Sequence, residues 1–211
     1  MSVIPLKIDG PNPTVVEKQE NFDVEGNAVL IGNLEVTQLN KNTSNVSYDF
    51  CVGDKFRSHL ENTPRQIPNG GAITLHPGSA LIIETREYVH LPRSMFGIIA
   101  PKVSLLQQGL STTFSKVDPG YHGPLLITLF NLGQTTRILR KGDSFCAFSL
   151  IKVIDRAELY EQGPKQLDAR IDQRLRDRVR EWLEAYHVLV MILLIIVTAY
   201  LATVHLISLV F

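Results

Sequence analysis

Residues 188–211, VLVMILLIIVTAYLATVHLISLVF, contain no Asp, Glu, Lys or Arg, and the sequence closes on them. A helix rises about 1.5 Å per residue, so some 20 apolar residues span a hydrocarbon core of about 30 Å. The run meets that length, and no other run in the chain does. It predicts one C-terminal transmembrane helix tethering the protein to a lipid bilayer. Arg174, Arg176, Arg178 and Arg180 stand just before it, which places the N-terminal side in the cytosol. His205, inside the run, reads either as an interfacial residue or as a relay residue in a pore.

The chain has 211 residues, and what precedes the tail suits one domain. Its formal net charge is zero, which argues against a nucleic-acid partner bound through phosphate neutralisation. The N-terminus, MSVIPLKIDG, lacks the basic-then-apolar layout of a signal peptide. Cys51 and Cys146 sit in apolar or alternating segments and read as buried free thiols in a reducing compartment.

Residues 1–45 form an irregular, partly β segment with Pro5, Pro11 and Pro13. Within it, AVLI and LEVTQL read as a short hairpin or an irregular pair turning at Gly32-Asn33. Residues 46–155 are dense in strand signals: SYDFCVG, AITL, ALIIETREYVHL, FGIIA, LLITLFNLG, TRIL and FCAFSLIKVI. Gly- and Pro-containing turns separate them, which predicts a mainly β sandwich, jelly roll or barrel. One short helix is predicted over 103–110, ended by Gly109.

Residues 156–187 change character. From 165 to 186 there is no Gly or Pro, and Leu167, Ile171, Leu175, Val179 and Trp182 or Leu183 recur at helical spacing among charges. This predicts an amphipathic helix that either joins symmetric subunits or packs back on its own β domain.

The most specific stretch is APKVSLLQQGL (100–110) followed by VDPGYHGPLLITLFN (117–131). SYDFCVGDKFR (47–57), LHPGSALIIETREYVHLP (75–92) and LRKGDSFCAFSL (139–150) flank these pieces in a fixed order. Together they resemble the trimeric dUTPase and dCTP deaminase superfamily over about residues 46–153. The resemblance implies a dUTPase-like distorted jelly roll, a homotrimer with shared sites, and a deoxypyrimidine nucleotide as ligand. By that resemblance Asp118 is the catalytic carboxylate, and Lys102, Ser104, Gln107, Tyr121 and Thr128 are the substrate-contacting positions.

Read from the residues alone, Asp118-Pro119-Gly120-Tyr121 is a tight reversal, with Pro119 presetting φ and Gly120 free to take a positive one. Asp118 can orient a water or hold a sugar hydroxyl, or merely start the turn. Tyr121 can stack on a sugar, or fill the core. His122 can touch a phosphate, or stand as a solvated turn residue.

The departures from the family pattern weigh as much. The deaminases' proton-shuttling glutamate falls at Thr128, which has no carboxylate. Their phosphate-side Ser and Arg fall at Val103 and Gln107, and a further Arg falls at Lys102, which keeps the charge without the planar fork. The sequence therefore predicts dUTPase-type pyrophosphate hydrolysis in preference to deamination, with Mg²⁺ arriving on the nucleotide. A catalytically silent nucleotide sensor, or a trimeric scaffold or pore acting through its membrane helices, stands as the alternative.

Overall fold

Between residues 80 and 90 the odd positions, Leu81, Ile83, Thr85, Glu87 and Val89, are buried, while the even positions after Ala80 reach the surface. A period of two turns successive side chains to opposite faces, so this segment is a strand with one wet side. The computed structural model describes residues 2–39, 45–61, 63–155, 157–164, 166, 167, 184, 186, 191, 192, 195–198, 200 and 201. Among them run β1 (Ser2–Ile4), β2 (Val15–Val16), β3 (Val29–Gly32), β4 (Tyr48–Ser58), β5 (Arg65–Gln66), β6 (Ala72–Leu75), β7 (Ala80–His90) and β8 (Met95–Pro101). The short helix α1 (Val103–Leu106) follows, then β9 (Leu110–Thr112), β10 (Ser115–Val117), β11 (His122–Asn131), β12 (Arg137–Arg140) and β13 (Ser144–Lys152).

The architecture is mainly β, as the sequence predicts. The main sheet path is β10-β8-β13-β4-β7-β11-β9, with β1 on β13, β3 on β7, β5 on β4, and a separate β6-β12 pair. β4 is the corner. Its start pairs with β13 (Phe148 opposite Tyr48) and its end with β7 (Ser58 opposite Leu81). The strand thus passes from one group of strands to the other, and both close on one core. Tyr48, Phe50 and Phe148 fill its centre, with ring centroids 5.6 and 5.0 Å apart. Leu6, Val15, Val29 and Ile31 of the N-terminal segment belong to the same core. Large-to-small changes at such positions cost about 2–5 kcal/mol.

Around residues 83–88 the ladders lose register on both sides of β7. The β4 pairing slips between Val52 and Phe56, and the β11 pairing slips between Pro124 and Leu126. Thr85 bridges the gap: its hydroxyl accepts from the Leu125 amide at 2.9 Å and donates to the Glu87 carbonyl at 2.7 Å. Bulges of this kind re-aim side chains and are common beside functional sites.

Some sequence expectations are corrected. AVLI is β3, but LEVTQL is no strand: Val36–Gln38 forms a 3₁₀ turn, so the hairpin does not form. Asn33 does take a positive φ of 58° at the predicted turn. β3 instead lies parallel to β2 and antiparallel to β7, where its apolar side chains are fully buried. The predicted helix over 103–110 shortens to α1, and the turn after it ends at Gly109 with φ 81°. Cys51 and Cys146 are buried and free. Burial, then the Glu87 charge, pushes the Cys51 thiol up to about 12, and the same causes push Cys146 higher than an ordinary thiol.

The chain divides into two compact units, Met1–Ala169 and Arg170–Phe211. In the first, residues 157–164 run as an irregular strap and are not helical. In the second, every described residue is helical. Most of the apolar run 188–211 lies outside the described residues, as does most of the amphipathic segment. Among the described residues no helix is long and apolar enough to cross a membrane.

Candidate functional site

The Asp118-Pro119-Gly120-Tyr121 turn forms as its sequence dictates. Gly120 takes φ 81°, and the Tyr121 amide donates to the Asp118 carbonyl at 3.1 Å. Two backbone bonds pin the turn to the end of β7: Gly120 N–H to Leu91 C=O at 2.9 Å, and Leu91 N–H to Tyr121 C=O at 3.0 Å. A side chain on Gly120 would meet Leu159 at 2.7 Å.

Beside this turn lies a cleft of about 260 Å³, lined among others by Lys116, Asp118, Tyr121, Leu126 and Tyr160. Lys116 and Asp118 lie two residues apart at the end of β10, so they share a face, and their charges meet at 2.8 Å. Lys116 is exposed and Asp118 half-buried, so the pair orients the carboxylate while adding at most about 1 kcal/mol of stability. The Tyr121 hydroxyl donates to the Pro124 carbonyl at 2.6 Å, and its ring packs against the core. Burial, then Tyr160 and Glu84, pushes the Tyr121 phenol up to about 12, so it stays protonated as a donor. Both readings of Tyr121 are therefore met by one side chain, which packs inward with its hydroxyl and walls the cleft with its ring.

Tyr160 carries no signal in the sequence. It comes from the strap, whose Tyr160 amide donates to the Pro119 carbonyl at 2.8 Å and whose Tyr160 ring lies 5.7 Å from that of Tyr121. No periodicity marks it, because the strap has no regular element. Lys116, by contrast, is legible as the same-face partner of Asp118.

The other sequence-predicted positions lie elsewhere. Lys102 precedes α1 at the far end of β8, where its ammonium meets Asp49 at 2.5 Å and the Ser144 hydroxyl at 2.7 Å. Ser104 and Gln107 are exposed on and just after α1, and Val103 is 67 % exposed. Val117 pairs with Gly97, whereas Lys102 follows Pro101, so roughly 15–20 Å of strand separates Asp118 from Lys102. Thr128 sits on the half-exposed face of β11 opposite Ile82, with its carbonyl accepting from the Thr113 amide. It does not line the Asp118 cleft. Within one copy of the chain, the structure brings Asp118 and Tyr121 together, but not Lys102, Ser104, Gln107 or Thr128 with them.

A histidine pair closes the base of the hairpin. His122 lies directly opposite His90, ring centroids 5.5 Å apart, and Phe22 stacks on His90 at 4.0 Å. Burial, then the charge of His122, lowers the His90 pKa below the ordinary imidazole value. A folded pKa below the unfolded one means the stability is present above the unfolded value, near 6.5, and is lost as pH falls through the folded one. The melting temperature should therefore drop between pH 7.5 and 5. His90→Gln should flatten that drop, and thermal melts across the range check it.

A family model described as dCTP deaminase-like matches residues 25–153. The chain belongs to this dCTP deaminase-like family. The match takes in β3 as well as the motif-bearing region from residue 46 onward. The chain is 30 % identical over 134 residues to a dCTP deaminase of Thermococcus gammatolerans, covering 64 % of this chain and 83 % of that protein. It is 28 % identical over 106 residues to a dCTP deaminase of Thermococcus kodakarensis, covering 50 % of this chain and 67 % of that protein. Among solved structures it is similar to 2′-deoxycytidine 5′-triphosphate deaminase from Agrobacterium tumefaciens. There the TM-score is 0.48 at 19 % identity, over 56 % of this chain and 42 % of that one. It is also similar to a dUTPase from phage phi11 of S. aureus, with a TM-score of 0.45 at 17 % identity over 64 % of this chain and 97 % of that one. Another structure of that phage dUTPase coordinates a structural Mg(II) ion.

Proposed function

We propose that this family member binds a deoxypyrimidine nucleotide at a site completed between copies of the chain in a homotrimer. The observation that carries the reading is the division of the predicted residues. Asp118 and Tyr121 line a cleft at one end of β8, while Ser104 and Gln107 stand exposed at the other. One copy offers the sugar-and-base half, and a neighbour's turn at 102–107 offers the phosphate half.

If the site turns over, the reaction is dUTPase-type hydrolysis. Water attacks the α-phosphorus, the α–β P–O bond breaks, and pyrophosphate leaves. Asp118 holds the water or the sugar hydroxyl, and Lys116 beside it offers positive charge. Deamination is not the proposed reaction, because Thr128 has no carboxylate to carry the proton. Mg²⁺ would come with the triphosphate. Among the described residues Asp118 is the one carboxylate lining the cleft, which suits an ion held mainly by phosphate oxygens and water.

One observation favours the silent-sensor reading. Lys102 is already engaged by Asp49 and Ser144, and its neighbour Val103 presents an exposed apolar side chain where a hydroxyl would grip phosphate. In this proposal the apolar run 188–211 anchors the head to a bilayer with the β domain on the cytosolic side.

The test is to incubate the detergent-solubilised chain with Mg²⁺ and dUTP or dCTP, following pyrophosphate, ammonia and binding together. Pyrophosphate from dUTP, reduced about 10²-fold or more by Asp118→Asn, supports the hydrolase. Tight binding without product selects the sensor. Ammonia from dCTP overturns the reading of Thr128, and absence of binding overturns the whole proposal.

A further inference from the structure

A second cleft, of about 420 Å³, opens beside Pro124. Pro124, Pro164 and Leu167 give it an apolar floor, and Lys55, Gln66, Glu84 and Gln166 stand around it. Leu167 is 3 % exposed, and Pro124 and Pro164 are half-buried. Among the described residues Lys55 and Glu84 form no ion pair, and neither glutamine side chain is hydrogen-bonded within the protein. Four polar side chains thus converge on one concave, partly apolar surface without spending their capacity on each other. Polar groups set around an apolar floor can fix the orientation of a small ligand.

The backbone explains why Lys55 and Glu84 meet there. β4 and β7 are out of register between Val52 and Phe56, and Lys55 falls inside that irregular stretch. β7 and β11 resume pairing at Glu84 opposite Leu126, so Glu84 leaves the sheet on the face away from the core. Leu126 lines the Asp118 cleft, and the Glu84 charge already acts on Tyr121, so the two clefts are neighbours across the hairpin.

We propose that this cleft is a second nucleotide-binding site, selective for a base that carries an exocyclic amino group. An ionised carboxylate only accepts hydrogen bonds, so Glu84 favours the amino edge of cytosine and opposes the carbonyl that uracil presents at the same place. The amides of Gln66 and Gln166 can both donate and accept, and so match the remaining ring edge. Lys55 supplies the positive charge for a phosphate. The inference rests on the reading of the protein as a nucleotide binder, but it uses none of that reading's residues.

Calorimetric titration of the full chain in detergent with dCMP and dUMP tests it. The expected result is a preference for dCMP of about tenfold or more, lost in Glu84→Gln, with Lys55→Ala weakening both ligands and Asp118→Asn leaving the preference intact. Glu84 and Lys55 are both half-exposed, and unchanged melting temperatures show that the variants fold. If Asp118→Asn abolishes binding while Glu84→Gln and Lys55→Ala change nothing, the hairpin site stands and the second site is overturned. If only the Glu84 and Lys55 variants lose binding, the second site stands and the hairpin reading falls. A dCMP preference that survives Glu84→Gln, or no titration at all, overturns the proposal.

Discussion

Glu87→Ala should cost about 3–5 kcal/mol and lower the melting temperature by roughly 10 °C or more. Glu87 is fully buried, yet it carries a carboxylate. Its oxygens accept from the Arg86 guanidinium at 2.7 Å, the Cys51 amide at 2.9 Å and the Tyr48 hydroxyl at 3.1 Å. Burying a charge is costly unless such partners replace its water. Removing the carboxylate leaves the Cys51 amide and the Tyr48 hydroxyl without their acceptor in the core, while the partly exposed Arg86 keeps Glu35 at 4.0 Å, and unmet buried donors cost more than the bonds they made. Glu87→Gln should cost less, because its amide oxygen still accepts while the charge opposite Arg86 is gone. Thermal melts of both variants check the ordering. Equal melting temperatures for Glu87→Ala and the parent chain would show that the cluster is not stabilising.

Gly53→Ala should destabilise the chain by about 3 kcal/mol, far beyond an ordinary surface change. A Cβ at Gly53 would lie 2.7 Å from the Glu84 carbonyl oxygen and 2.9 Å from the Thr85 carbonyl group. These are backbone atoms, so no rotamer change relieves the contact, and β4 must move away from β7. That movement would disturb the segment where Thr85 holds the Leu125 amide, at the base of the Tyr121 hairpin. Both stability and nucleotide binding should therefore fall. Gly163→Ala is the control: a Cβ there meets nothing within 4 Å. Denaturation midpoints for the two variants, measured side by side, decide the point.

Both predictions arise at β7, and β7 shows how far the residues speak for themselves. Its alternation marks the odd positions as inward, so Glu87 is legible as a carboxylate in a core register. Nothing local names its partners, since Tyr48 and Cys51 lie far back in the chain on β4. Gly53 looks like any strand glycine until the slipped ladder brings the Glu84 carbonyl against it. The turn at 118–121 was likewise legible, because Pro119 fixes its own φ and Gly120 alone can take a positive φ at no steric cost. Tyr160 was not legible, since a strap held by single backbone bonds leaves no pattern. The short strands β9 and β10 were missed for a related reason: three residues are too few to show a period, and pairing with β11 and β8 is what makes them strands. LEVTQL went the other way. Its alternation suits a strand, but β2 and β7 already flank β3, so no edge was left for it to pair with.

The residues alone determined the mainly β character, the hairpin carrying Asp118 and Tyr121, the two buried thiols, and the apolar composition of the C-terminal run. These follow from side-chain periodicity and local backbone restriction, which act over a few neighbouring positions. The tertiary structure decided that Lys102 is held by Asp49 and Ser144, that Asp118 and Ser104 stand at opposite ends of one strand, and that Lys55 and Glu84 share a cleft. Such pairings depend on strand order and register. Those are set by which distant apolar faces close on a common core, and a single linear sequence does not display them.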